Sequence, residues 1–235
     1  MKLKVLGSGS IFVKDNSSSF LIDDTILVDI PNGACKNMMN IGIQPSCITD
    51  LLITHFHADH YFDVPFLLLN KNLDNGPIVN IYCDKTGEKN IYNLVHLAFP
   101  NKIDKINEFF KYDISKKFKI NDYEVEKVKV EHEEKIESNA FIFKENNIKV
   151  GFSGDCGLCD GIFELAEKCN HLIIDCTANI GKKSHLGINN IQELAKKYPD
   201  CFFYTTHMGK DVRKNIENLN IDNIIALKDN DEFLF

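Results

Sequence analysis

The chain has 235 residues, 44% of them hydrophobic and 26% charged, with a formal net charge of −7 and a pI near 5.6. This is the composition of a globular protein large enough to bury a substantial core. It argues against a long polyanion held by phosphate contacts, which calls for an excess of Lys and Arg, and no apolar run reaches the roughly eighteen residues that a membrane span needs.

Residues 1–10 carry basic side chains without a long apolar stretch behind them. They read as a first strand, residues 3–6, ending in a turn, and not as an export signal. Residues 19–22 and 25–30 are β-type runs joined by Asp23-Asp24, a two-residue connection of hairpin type. Residues 50–54 form a short apolar run of the kind a buried strand has. Residues 61–70 predict a helix with Pro65 near its start. A strand over residues 78–83 and a helix over 87–97 follow. The stretch 102–135 is rich in lysine, but Asp and Glu are interleaved throughout, which describes a solvated face. Residues 123–130, part of 139–144 and 148–152 read as strands, and 162–168 as a helix. Residues 172–176, 188–197 and 201–205 then give a β-α-β order. With no Pro/Gly/Ser-rich linker, residues 1–235 are expected to form one domain in which two β layers lie between helices.

The cysteines number eight and are scattered. Without an export signal, reduced thiols and a cytoplasmic location are the expectation. Cys156 and Cys159 form a lone Cys-x-x-Cys with neither a second pair nor a thioredoxin-like context, so they are read as bystanders.

The densest chemistry lies at Thr54-His55-Phe56-His57-Ala58-Asp59-His60. It holds three imidazoles and a carboxylate, all good ligands for divalent transition metals. Neighbours on an extended segment alternate in direction, so these four cannot all point at one centre. His55 and His57 can share one ion, while Asp59 and His60 turn toward a second. The ligands begin where the apolar run 50–54 ends, which places them on a loop backed by a rigid strand. Four further candidates stand in the same kind of position. His132 follows the strand-like run 125–130, Asp155 follows 150–154 and His207 follows 202–206. His185 lies just before a helix. His96 and His171 have no such context.

These segments resemble the metallo-β-lactamase superfamily, and within it the branch containing ribonuclease Z and the phosphonate-pathway cyclic phosphodiesterases. The resemblance runs through Leu6-Gly7-Ser8-Gly9, Ser17-Ser18-Ser19, Leu27-Val28-Asp29 and the heptad with Tyr61-Phe62-Asp63-Val64-Pro65. It continues through Val130-Glu131-His132, Ser153-Gly154-Asp155, Ser184-His185-Leu186-Gly187 and Thr205-Thr206-His207-Met208-Gly209. It implies an α/β (α+β) fold, a four-layer αββα sandwich with the site at one edge. It implies that His55, His57 and His132 hold one metal, that Asp59, His60 and His207 hold a second, and that Asp155 bridges them. Asp29 would orient a ligand histidine through its other ring nitrogen. Two divalent ions are expected, with zinc first and manganese or iron as alternatives.

Three departures from the resemblance stand out, two of them from ribonuclease Z. That enzyme carries a tRNA-clamping arm, whereas here only residues 133–154 separate His132 from Asp155, leaving no room for one. Gly154-Asp155 is followed by Cys156 in place of Thr. Pro31-Asn32-Gly33 also differs from the small-residue turns expected after Asp29, which reshapes the nearby loop. The expected function is a dinuclear metal-dependent hydrolase, foremost a phosphodiesterase that cleaves a small cyclic phosphate or nucleotide with a metal-bridging hydroxide. A thioester, lactone or β-lactam hydrolase and an RNA-processing nuclease of the ribonuclease Z type are the alternatives. His185 and Asp59 carry the catalytic assignment. His185 would contact phosphate or protonate the leaving oxygen, with Glu133 or Glu134 as a candidate to orient it. A small anionic substrate is the expected partner, without membrane or long nucleic acid, and a homodimer is compatible with the sequence.

Overall fold

A computed structural model describes all 235 residues. Two seven-stranded sheets carry the fold. The first has the order β14-β1-β2-β3-β4-β5-β6, with β1 Lys2–Gly7, β2 Ser19–Ile22, β3 Ile26–Val28, β4 Asp50–Leu52, β5 Val79–Tyr82, β6 Phe110–Asp113 and β14 Glu232–Leu234. The second has the order β13-β12-β11-β10-β9-β8-β7, with β7 Lys117–Ile120, β8 Tyr123–Val130, β9 Ser138–Glu145, β10 Ile148–Phe152, β11 His171–Asp175, β12 Phe202–Thr206 and β13 Ile224–Ala226.

Successive side chains of a strand point to opposite faces, and this alternation builds the layers. Ile26, Val28 and Leu52 from the first sheet meet Phe141, Phe143, Phe152 and Ile173 from the second in a core between the sheets. The residues between them in sequence, Leu27 and Leu51, face the other way onto α1 (Ala34–Asn40), α3 (Val64–Asp74) and α4 (Gly87–Ala98). Leu172, Ile174 and Phe203 likewise back onto α6 (Asp160–Lys168), α7 (Ile188–Lys197) and α8 (Val212–Glu217). The result is the αββα sandwich. No helix is long and apolar enough to cross a membrane.

The hairpin at Asp23-Asp24 is present. Both residues have positive φ, 46° and 62°, the geometry whose twist matches antiparallel strands, and Thr25 N donates to Ile22 O at 3.2 Å. The strand expected over residues 25–30 is shorter, because Asp29 turns into the left-handed region at φ 59°. The helix expected over residues 61–70 is α3. It begins at Val64, so that Pro65 occupies the first turn, where its missing N–H is not needed. A separate one-turn helix, α2 (Ala58–Tyr61), lies inside the heptad. Pro31-Asn32-Gly33 leads into α1, with Gly33 at φ 86°.

Phe152 links the inter-sheet core to the candidate site. Its ring lies 5.5 Å from that of Phe20 and 5.6 Å from that of Phe143, and Ser153-Gly154-Asp155 follows directly. Truncation by Phe152→Ala is expected to destabilise the fold by about 3–5 kcal/mol, measured by chemical denaturation. A loss below about 1 kcal/mol would contradict this packing role.

Candidate metal centre

Every candidate ligand projects from the same edge of the two sheets. His55 and His57 lie just beyond β4, Asp59 and His60 on α2, His132 beyond β8, Asp155 beyond β10 and His207 beyond β12. Gly154, at φ 60°, makes the turn that delivers Asp155; a Cβ there would lie 2.7 Å from Cβ of Thr54. The helical turn of α2 separates the directions of Asp59 and His60 from those of His55 and His57, so the heptad faces two points.

The first point gathers His55, His57 and His132. His57 Nδ1 is 3.0 Å from His55 Nε2 and 3.1 Å from His132 Nε2. The outer nitrogens fix the tautomers. His132 Nδ1 donates to the Ser184 carbonyl at 2.7 Å. Thr54 Oγ1 donates to Asp29 Oδ2 at 2.8 Å and so accepts from His55 Nδ1 at 3.1 Å. Nε2 of both rings therefore bears a lone pair, and the two lone pairs converge on one neighbouring nitrogen. One proton on His57 cannot serve both well, whereas a single cation can.

The second point gathers Asp59, His60, Asp155 and His207, all buried. Asp155 Oδ2 is 3.3 Å from both His60 Nε2 and His207 Nε2, and Asp59 Oδ2 is 3.3 Å from His207 Nε2. His60 Nδ1 donates to Asp29 Oδ2 at 2.8 Å, which leaves Nε2 facing inward. That atom is buried, and its 3.3 Å approach to Asp155 Oδ2 is not a well-aligned hydrogen bond, so it faces the other side chains of the group without a satisfied partner. Asp155 also groups with His132 and His185, so it stands between the two points.

The electrostatics agree with the geometry. Burial works against a charge on His60, but the Asp155 and Asp29 carboxylates outweigh it and hold its pKa well above the ordinary imidazole value. Burial is likewise overcome at His207, where Asp155, Asp175 and Asp59 raise the pKa to about 10. At Asp155 burial is overcome in the other direction, and the His207 and His60 charges hold its pKa well below the carboxylate range. His55 is pushed well below its usual value by burial and the neighbouring His60. The carboxylate-lined half thus draws in positive charge and the imidazole-lined half keeps its nitrogens free. A mixed nitrogen and oxygen donor set of this kind fits zinc, manganese or iron.

His185 stands beside the two donor groups. Its ring stacks on His207 at 5.3 Å and meets His132 edge-on at 4.8 Å. Its orienting partner is neither Glu133 nor Glu134. Glu133 lies 3.7 Å from His57, and Glu134 pairs with Lys183 in solvent. Asp175, at the end of β11 and wholly buried, accepts from His185 Nδ1 at 2.9 Å. Thr177 joins this pair to the second donor group, donating to Asp175 Oδ1 at 2.7 Å and accepting from His207 Nδ1 at 2.8 Å. Sequence reasoning missed Asp175 and Thr177; the available signal was a carboxylate closing the apolar run Leu172-Ile173-Ile174. His96 and His171 lie outside the site. His171 bonds to Tyr204 and stacks on Phe235, and His96 stacks on Tyr92.

Comparison with known proteins gives concordant results. A ribonuclease Z from Thermococcus kodakarensis is 31% identical over 127 residues, which is 53% of this chain and 38% of that relative. The chain therefore matches well under half the length of this relative. The fold superposes on the metallo-β-lactamase fold protein YhfI from Bacillus subtilis with a TM-score of 0.79 and 15% identity, covering 99% of this chain and 98% of that one. A diphosphatase of the PhnP family gives a TM-score of 0.78 at 18% identity, covering 100% and 97%. At these identities the structural likenesses show the fold. Residues 1–225 match the family model described as anti-Pycsar protein Apyc1, and the chain therefore belongs to that family, with the metallo-β-lactamase fold.

Proposed function

We propose that this chain is a two-metal phosphodiesterase acting on a small phosphodiester, a cyclic phosphate or a nucleotide. His55, His57 and His132 would hold one ion and Asp59, His60 and His207 the other, with Asp155 shared. Both sheets supply ligands, so residues 1–235 act as one domain. Two divalent cations bound there would supply Lewis acidity, neutralising charge on phosphate oxygens and making water more acidic.

The observation that carries the reading is the Asp175–His185 pair. Asp175 accepts a hydrogen bond from His185 Nδ1 and leaves Nε2 as the atom that meets substrate. From beside both donor groups that atom can contact a phosphate oxygen or protonate the leaving oxygen. Asp59 and Asp155 confine negative charge to the floor of the site. The small-substrate reading is supported by residues 133–154, which are taken up by β9, β10 and their connections and include no extended arm.

Elemental analysis of the purified protein is expected to give two divalent ions per chain, with about one lost in His132→Ala. Asp29→Ala, which frees His60 to rotate, is expected to weaken metal binding roughly 10- to 100-fold. Full metal retention in both variants would overturn the ligand assignment.

His185→Ala is expected to keep its metal and lose roughly 10²- to 10⁴-fold in kcat on bis(p-nitrophenyl) phosphate. The reading fails if metal-loaded protein turns over no phosphodiester but hydrolyses a thioester or nitrocefin.

A further inference from the structure

The chain contains two Asn-Gly pairs, Asn32-Gly33 and Asn75-Gly76. In such a pair the backbone nitrogen of the glycine can close on the side-chain carbonyl of the asparagine, because glycine has no Cβ to hinder the approach and turns freely. The fold treats the two pairs differently. Gly76 N donates to the Lys71 carbonyl at 2.9 Å, which engages its proton. The space where a Cβ would stand on Gly76 is also filled, with Lys71 Cδ and the Ser46 carbonyl oxygen each 2.9 Å away. Asn75-Gly76 is therefore pinned at the end of α3.

Asn32-Gly33 is open. Both residues are exposed, and nothing lies within 4 Å of the point where a Cβ would stand on Gly33. Gly33 N donates to no protein acceptor, whereas its neighbours are held: Ile30 N donates to the His60 carbonyl at 2.7 Å, Ala34 N to the Pro31 carbonyl at 3.0 Å and Cys35 N to Asp63 Oδ2 at 2.9 Å. The Ile30 carbonyl accepts in turn from Asp63 N at 3.1 Å. Residues 30–35 thus form a strap tied to α2 and Asp63 at both ends. The strap begins one residue after Asp29, whose carboxylate orients His60. Its free nitrogen and its bare glycine lie at the middle, between the fixed points.

We propose that Asn32 is a self-modifying site, where Gly33 N converts the asparagine to aspartate and isoaspartate, and that the isoaspartyl form loosens the strap behind Asp29. Gly33 N bonds to the side-chain carbonyl carbon of Asn32, the bond from that carbon to the amide nitrogen breaks, and ammonia leaves with the Gly33 proton. Water then adds to either carbonyl of the five-membered ring and opens it. The net change is water in and ammonia out, with nothing oxidised or reduced. Isoaspartate routes the main chain through Cβ, which inserts a methylene between ends that the fold holds fixed. The hydrogen bonds at Ile30, Ala34 and Cys35 cannot then all keep their geometry. The inference is independent of the phosphodiesterase reading.

The test ages the full-length protein at mildly alkaline pH and follows both pairs by peptide mapping, with fragmentation that separates aspartate from isoaspartate. The hydrogen bond at Gly76 alone should slow Asn75 by roughly 2- to 12-fold relative to Asn32. In urea, where the fold holds neither pair, the difference should vanish. Equal rates in the folded protein, or a difference that survives in urea, would overturn the site. So would an acidic species that still accumulates in Asn32→Gln, whose longer side chain closes the ring far less readily. The loosening is read by chemical denaturation. Aged wild type should unfold at lower denaturant than fresh protein, and aged Asn32→Gln should keep its fresh midpoint. Fresh Asn32→Asp carries the new charge on an ordinary backbone and should unfold as fresh wild type does. An Asn32→Asp midpoint as low as that of aged wild type would overturn the loosening in favour of a charge effect. An unchanged midpoint in protein rich in isoaspartate would overturn it outright.

Discussion

Asp29 is the contact through which the first sheet sets the geometry of the site. Its carboxylate is buried and accepts from Thr54 N and Thr54 Oγ1, each at 2.8 Å, and from His60 Nδ1 at 2.8 Å. Burial raises its pKa, and the bonds from His60 and Thr54 pull against that rise. Those bonds tie the end of β3 to the end of β4 and to α2, so one side chain fixes where the heptad leaves the sheet and how His60 is turned. Through Thr54 Oγ1 the same carboxylate also sets the tautomer of His55. Both donor groups therefore trace back to Asp29. A buried carboxylate with one bond missing would be costly, and the complete set of donors is what makes its burial tolerable.

Reaching that position requires an unfavoured backbone. Asp29 at φ 59° and His207 at φ 53° both occupy the left-handed region, which costs a non-glycine residue about 1–2 kcal/mol. Two adjacent serines on the incoming β2 segment hold them there. Ser18 Oγ accepts from His207 N at 2.9 Å, and Ser19 Oγ donates to the Asp29 carbonyl at 2.8 Å. Neighbouring side chains at a strand point opposite ways, which lets one dipeptide reach one residue from each sheet. The Ser17-Ser18-Ser19 segment thus joins two strained residues across the sandwich.

Much of this was legible in the sequence, for physical reasons that differ by element. The heptad's ligand density cannot be a packing feature, and His132, Asp155 and His207 stand where apolar runs stop, so period-2 burial and ligand chemistry point to the same edge. Two β layers between helices were legible in the order of the elements, and the four-layer sandwich came from the family resemblance. Asp175 was not, because a carboxylate beside an apolar strand has several uses. Asp50 in β4 serves Asn80 and Tyr82 as a structural acceptor, and Asp113 ends β6 by capping Ser115 N. Only the fold shows which of the three faces a histidine. The edge strands β13 and β14 have three residues each, too few for a period to register, and their pairing comes from their neighbours. The four-residue α2 escaped for the same reason.

Asp175 gives the second sheet a counterpart to Asp29. It accepts from His185 Nδ1 with one oxygen and from Thr177 Oγ1 with the other, while Thr177 accepts from His207 Nδ1. A single wholly buried carboxylate therefore orients His185 directly and His207 through Thr177. The stacked rings of His185 and His207, 11° from parallel, follow from this shared anchor. Because Asp29 and Asp175 grip the site from opposite sheets, its geometry depends on how the two sheets pack. The inter-sheet aromatic layer of Phe20, Phe143 and Phe152 is consequently as much a determinant of donor spacing as the hydrogen bonds. A site shared between sheets also explains why no short stretch of this chain could form it alone. The heptad supplies two candidate ligands to one point and two to the other, and each point is completed only by the second sheet.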